Sequence, residues 1–247
     1  MHWIDEGIIL SARKYGENSV IVQALTREHG RHSGLVRGGS GKRLRGILQP
    51  GNEVGLRWSG RLSEHLGNFS VEAKNSRSTL LFDRPLNLAA ISAILGFLEV
   101  ALPEREAHPK VYDASLILFE GLDEELSYWG PMLVMWELGL LKELGYGLDL
   151  KKCAVTGSAD NLKFVSPKTG RAVSLEAAGP YAEKLIPLPR FMGGLSSAID
   201  ESVTKDDVLQ GLFLTGYFLN KAVLSQLGDQ SLPARERLIA LLQKQAE

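Results

Sequence analysis

The sequence predicts an α+β protein of two domains, a small five-stranded β-barrel followed by a helical bundle. Two observations carry this. In residues 1–80 apolar side chains recur at every second position, and from Pro85 onward they recur at every third or fourth. The charge divides at the same place. Residues 1–80 hold 12 Lys and Arg against 7 Asp and Glu, a net of +5, whereas residues 81–247 hold 16 against 22, a net of −6. Halves of opposite charge suit different partners, so the expected domains are 1–80 and 81–247.

The strands come first. Residues 7–15, 19–26 and 31–38 are rich in β-branched residues, and Gly16-Glu17-Asn18 and Glu28-His29-Gly30 break them as hairpin turns. Val54, Leu56 and Trp58 then alternate with polar or small residues, as do Phe69, Val71 and Ala73. That is the pattern of half-buried antiparallel strands. The one non-strand insert, the basic stretch 38–46 and the corner Leu48-Gln49-Pro50-Gly51, falls between the third and fourth strands. A five-stranded Greek-key barrel interrupted there is an OB-fold, a scaffold that commonly binds nucleic-acid strands.

The helices follow. Leu88, Ile91, Leu95, Leu98 and Leu102 form one helical stripe between Pro85 and Pro103. Further helices are expected at about 110–125, 130–145 and 205–227, and a last one after Pro233. Thr204 is a natural N-cap for the fourth, and Asp206 and Asp207 suit the positive end of its dipole. The helical pattern lapses between about 148 and 192. Turn-rich stretches at 156–161 and 166–170 flank a strand-like run at 162–165, in the outline of a small metal knuckle. The ligands are missing. A structural zinc site takes four Cys or His side chains, usually as spaced pairs, whereas Cys153 has Thr156 in the partner position and is the only cysteine.

Composition sets further bounds. A chain of 247 residues, 44% hydrophobic and 23% charged, is ordinary for a globular protein. One cysteine permits no intrachain disulfide and fits a reducing cytoplasm. The opening MHWIDEGIIL lacks the basic and apolar regions of a signal peptide. The apolar segments at 86–102 and 208–220 suit buried helices rather than membrane spans.

No catalytic constellation emerges, so an enzyme is not expected and neither catalytic nor metal-binding residues are assigned. The sequence contains no G-x-S-x-G elbow and no H-E-x-x-H. Acid pairs such as Asp5-Glu6, Glu124-Glu125 and Asp200-Glu201 suit solvated turns or helix ends. His29 and His32, on an expected turn and strand start, are read as polar groups of the surface or as added basic character.

The stretch GLVRGGSGKRLRG at 34–46 raises two chemical readings. A P-loop needs G-x-x-x-x-G-K-[ST]. Gly41-Lys42 supplies the second half, but Val36 stands where the first glycine belongs and Arg43 where the hydroxyl belongs. The other reading is a flexible basic loop on a nucleic-acid backbone. Arg27, Arg31, Arg37, Lys42, Arg43 and Arg45 fall within 19 residues, opposed only by Glu28. Such cations release condensed counterions on meeting phosphates, which drives sequence-independent binding. Tyr15, beside Arg13 and Lys14, is the best candidate for stacking on a base, whereas Trp58 and Phe69 suit the core. The expected DNA contacts are thus Arg13, Lys14, Tyr15, Arg27, Arg31, Arg37, Lys42, Arg43 and Arg45. The alternative is an adaptor whose barrel binds protein.

The run EGIILSARKYGENSVIVQALTREHGRHSGLVRGG, then LQPGN, LGYGLDLKKCAVTG, FVSPKTGRAV and LPARERL, resembles the RecO DNA-repair family in order and over almost the whole chain. The resemblance implies an N-terminal OB-fold and a helical domain with a zinc-finger-like insert. It implies a recombination mediator without a cofactor. Such a protein binds single- and double-stranded DNA, anneals complementary strands and helps load the RecA recombinase onto strands coated by single-strand-binding protein. RecR and the single-strand-binding protein are the implied partners, RecF acts in the same pathway, and the place is the cytoplasm at the nucleoid. Some members carry four zinc-binding cysteines. This chain keeps only Cys153, so zinc does not carry over.

Overall fold

The computed structural model describes residues 1–62, 65–77, 84–193, 203–223, 225 and 232–244. The chain forms two compact units, Met1–Phe119 with Leu232–Leu238 and Glu120–Ser231 with Ile239–Glu247. The boundary expected at 80/81 lies in the segment 78–83, outside the described residues.

The first unit is built on β1 (His2–Tyr15), β2 (Ser19–Thr26), β3 (Gly30–Val36), β4 (Glu53–Ser59) and β5 (Asn68–Asn75). They close into a barrel in the order β1-β2-β3-β5-β4. Neighbours are antiparallel except β3 and β5, which meet in parallel at Leu35 and Asn68. The long β1 serves two partners, β4 along His2–Ile8 and β2 along Gly7–Tyr15, with an irregularity between Ile9 and Ser11. A bulge there lets one strand bend from one neighbour to the next. Alternate residues fill the interior, among them Ile9, Val22, Val36, Val54, Leu56, Trp58 and Phe69. Trp58 and Phe69 are buried as expected.

Three sequence expectations for this unit are corrected. First, β1 begins at His2 rather than near residue 7. Its first turns carry an inverted pattern, with Ile4 exposed and the Asp5 side chain buried. Asp5 turns inward because it accepts hydrogen bonds from the backbone N–H groups of Glu28 (2.9 Å) and His29 (3.2 Å) and lies 2.8 Å from His29 Nδ1. Second, His32 is not an exposed polar group. It is buried within an aromatic cluster, edge-on to Trp3 and Trp58, because the alternation of β3 points it to the barrel side. Third, residues 42–47 are not a flexible loop but a short helix, α1 (Lys42–Ile47).

The unit also holds helix α2 (Pro85–Ala101) and most of α3 (Pro109–Gly121). Proline opens α2, where its missing N–H costs nothing, and the Ile91, Leu95, Leu98 and Leu102 stripe is buried.

The second unit contains α4 (Leu126–Glu143) and α6 (Lys205–Ala222), which pack on each other, and between them a small sheet. The buried Thr215 hydroxyl of α6 donates to the buried Glu137 carboxylate of α4. Thr204 caps α6 in a reciprocal box with Asp207. Residues 224 and 226–227, at the end expected for this helix, lie outside the described residues. The sheet runs β7 (Ala172–Ser174), β6 (Leu162–Val165), β8 (Ile186–Pro187), with the one-turn α5 (Leu175–Ala178) after β7. Helix α7 (Pro233–Lys244) ends the described chain. Among the described residues no helix is long and apolar enough to cross a membrane.

Candidate nucleic-acid interface

The expected DNA contacts separate by local geometry. In the second half of β1, alternation puts Ala12 and Lys14 on one face and Ser11, Arg13 and Tyr15 on the other. The second face looks to α2. There Ser11 Oγ donates to Glu99 at 3.2 Å, and Arg13 pairs with the same carboxylate at 3.4 Å. Arg13 nevertheless stays largely exposed, and so does Tyr15.

After β3 the chain turns at Gly38, whose φ of 69° is a left-handed conformation that suits glycine. Gly39 N–H donates to Val36 O, and Gly41 N–H to Gly38 O. Ser40 N–H donates to Asn18 O at 3.3 Å and so ties this turn to the β1–β2 hairpin. Helix α1 then begins. Leu44 and Ile47, with the following Leu48, fall at positions i, i+3 and i+4 and pack on the barrel core. Lys42, Arg43 and Arg45 take the solvent side.

A short helix of this kind needs outside support at its ends. The buried Asn52 supplies it. Its Nδ2 donates to Gly46 O at 2.9 Å and Ile47 O at 3.2 Å, and its Oδ1 accepts from Arg77 N–H at 3.0 Å. The Gln49 amide adds a bond to Arg45 O at 3.0 Å.

The β1–β2 hairpin and α1 enclose a groove of about 470 Å³ whose walls include Ala12, Lys14, Val20, Ser40, Arg45 and Gln49. Lys14 and Arg45, far apart in sequence, therefore share one cavity. Lys14, Arg37, Lys42, Arg43 and Arg45 are exposed and form no ion pair with a described residue.

Arg27 and Arg31 are placed differently. Arg27 pairs side-on with Asp113 of α3, Nε to Oδ1 at 3.0 Å and Nη2 to Oδ2 at 3.0 Å, and also meets Glu28. Hydrogen bonding and charge attraction with Asp113 raise the Arg27 pKa further and hold Asp113 below the usual carboxylate range. Arg31 is mostly buried, donating to Leu102 O at 2.9 Å and lying 3.6 Å from Glu104. These two arginines hold the barrel to the segment 102–113. They do not join the groove.

Sequence reasoning missed Ser40, Asn52 and the groove itself. One signal was available, since the spacing of Leu44, Ile47 and Leu48 is a helical stripe inside the basic stretch. Nothing in one sequence pairs the β1–β2 hairpin with that helix.

Cys153 lies in a site without further metal ligands among the described residues. Cys153 is buried, and its Sγ accepts hydrogen bonds from Ser174 N–H, Thr156 N–H and Ser174 Oγ. Burial opposes the thiolate, but these bonds from Ser174 and Thr156 outweigh it and bring the pKa down to about 6. Among the described residues no three His, Cys, Asp or Glu side chains gather as metal ligands.

Comparison with known proteins decides the family. Residues 1–77 match the family model for recombination protein O N terminal, and residues 83–231 match that for recombination protein O C terminal. The chain belongs to the RecO family. A DNA repair protein RecO of Cereibacter sphaeroides is 48% identical over 243 residues, 98% of this chain and 99% of that protein. The RecO of Rhodospirillum centenum is 46% identical over 97% of this chain and 94% of that one, and the RecO of Methylocella silvestris 44% over 100% and 98%. Membership in RecO places the chain among proteins of DNA repair and recombination.

Proposed function

We propose that this protein is a non-enzymatic recombination mediator that binds single- and double-stranded DNA through α1, between the third and fourth barrel strands, and the groove that α1 forms with the β1–β2 hairpin. The observation that carries the reading is the gathering of Lys14, Arg37, Lys42, Arg43 and Arg45 around that feature, none of them in an ion pair with a described residue. The strand order β1-β2-β3-β5-β4, with a helix after the third strand, supports an OB-fold barrel. In this reading residues 1–80 are the DNA-binding domain, braced by the segment that holds Arg27 and Arg31. Residues 81–247 contact RecR and the single-strand-binding protein, and 148–192 are a zinc-finger-like insert held by hydrogen bonds to Cys153 instead of by metal.

The mechanism needs no bond making. Two complementary strands repel each other through their phosphates. A cationic surface screens that repulsion and raises the local strand concentration, which favours annealing. Annealing on coated strands, RecA loading in the RecF pathway and association with the nucleoid then follow from protein contacts of the helical half.

Titration of labelled single-stranded and duplex oligonucleotides at two salt concentrations tests this. Binding that weakens with salt, and weakens further when Lys42, Arg43 and Arg45 are all alanine, supports it. A barrel that binds no oligonucleotide but captures RecR or the single-strand-binding protein would make it an adaptor instead.

A further inference from the structure

Within the acidic half of the chain one segment is basic. Residues 148–192 hold seven Lys and Arg against four Asp and Glu, whereas the rest of 81–247 holds nine against eighteen. The turn between β6 and β7 brings part of this charge to α6, inside the second unit. There Lys221 Nζ of α6 donates to Pro167 O at 3.0 Å, and a Cβ on Gly170 would lie 3.7 Å from the Phe218 ring. Beside this turn α6 presents two aromatic rings to solvent. Phe213 is 63% exposed, and Tyr217, one helical turn on, is 39% exposed. Positions i and i+4 share one face of a helix. Lys221, a further turn on, holds its Nζ over the Tyr217 ring, 6.0 Å from the centroid. Phe213, Tyr217, Lys221 and the turn that carries the exposed Lys168 therefore form one continuous strip. Lys168 forms no ion pair with a described residue.

We infer that this strip is a second surface for single-stranded DNA, with bases stacked on Phe213 and Tyr217 and phosphates on Lys221 and Lys168. The inference rests on the DNA-binding reading above and adds a second strand site to it. Rings interleaved with cations suit a strand of any sequence, since every base has a π-face and every nucleotide a phosphate. The spacing of the rings sets a preference. Four residues of helix advance about 6 Å, whereas one strand of B-DNA advances about 3.4 Å per nucleotide. Neighbouring bases therefore reach both rings only from an extended, unstacked strand. An acidic peptide would also satisfy the cations, but its apolar anchors need a concave pocket, and these rings stand out from a helix face. Annealing gains directly. A chain with one strand surface on each unit holds two strands at once, which raises the effective concentration of each for the other.

Stoichiometric titration of the full chain with a short labelled thymidine oligonucleotide tests this. The wild-type protein is expected to bind two strands per chain. The double variant Phe213→Ala, Tyr217→Ala and the single variant Lys168→Glu are each expected to keep one strand and to bind the second about tenfold more weakly, the worth of a stacked base or a phosphate contact. Both should anneal complementary strands more slowly and bind a duplex like the wild type. Tyr217→Phe keeps the ring and should still bind two strands. Circular dichroism checks the fold, and if the double variant unfolds, Lys168→Glu, at an exposed turn position, carries the test. The variant with Lys42, Arg43 and Arg45 all alanine should retain the strand on the strip. The inference is overturned if that variant binds no strand, or if the strip variants bind two strands as the wild type does. It is also overturned if the strip variants lose an acidic peptide but no DNA. A wild-type protein that binds no oligonucleotide removes the whole DNA-binding reading. One strand bound by the wild type, lost in the α1 variant alone, removes only the strip.

Discussion

His32 lies edge-on to Trp58, with ring centroids 5.2 Å apart and planes at 78°, and neither of its ring nitrogens has a hydrogen-bond partner among the described residues. Burial disfavours the imidazolium, and the positive charge of Arg105 and the neighbouring His29 add to the effect, bringing the pKa down to about 4. The unfolded chain takes up this proton near pH 6.5 and the folded chain only near pH 4. Stability is therefore fully present above about pH 6.5 and falls as the pH drops toward 4. The size is up to about 3 kcal/mol, from about 1.4 kcal/mol for each pKa unit. Urea unfolding at pH 7 and pH 4.5 should show this loss in the wild type, and His32→Phe should reduce it. An equal pH dependence in both proteins would assign the loss to other groups.

The cations of α1 should act as phosphate contacts. Replacing Lys42, Arg43 and Arg45 together by alanine is expected to weaken binding to strands of any sequence. The log–log salt slope should flatten by about two to three units, at roughly 0.7–0.9 per lost contact. Stability should hold, since exposed substitutions usually shift it by less than about 0.5 kcal/mol. A folded triple variant with unchanged affinity and slope would move the interface elsewhere.

Arg27 and Arg37 should part company in the same assay. Arg37 is exposed and forms no ion pair with a described residue, so Arg37→Ala is expected to lower the salt slope by roughly 0.7–0.9. Arg27 already faces Asp113 and Glu28, so Arg27→Ala is expected to leave the slope unchanged. Its exposed ion pairs, screened by solvent, contribute little to stability. A slope change for Arg27→Ala equal to that for Arg37→Ala would show that DNA displaces Asp113.

Cys153 should behave as a hydrogen-bond acceptor and not as a metal ligand. Elemental analysis of the purified protein is expected to find no stoichiometric zinc, and chelators should leave the melting temperature unchanged. About one zinc per chain would contradict the three hydrogen bonds that already occupy its sulfur.

Much of this fold was legible because the local patterns agreed with the burial they serve. Val54, Leu56 and Trp58 alternate in sequence and are all buried in β4, and the stripe that includes Leu95 and Leu98 lies on the buried side of α2. Reading failed where a polar side chain turns inward for a partner distant in sequence. Asp5 hid the start of β1 because its donors are at residues 28 and 29, and His32 was misplaced because its neighbours are Trp3 and Trp58. The site was legible in composition but not in arrangement. Basic residues mark a charged surface, yet whether an arginine is spent on Asp113, as Arg27 is, or left for a ligand, as Arg45 is, depends on contacts between segments that one sequence does not pair.

The Asn52 side chain, which holds the last turn of α1 to the barrel, has a calorimetric consequence. Ordering a free glycine-rich loop on DNA would immobilise its backbone during association, at roughly 1–2 kcal/mol of entropy per residue. Here that loss falls on folding, before any strand arrives. The three cations of α1 then meet phosphates as groups already held in position, so association buries little new apolar surface and orders little chain. Its heat-capacity change should accordingly be small and its driving force dominated by the entropy of released counterions.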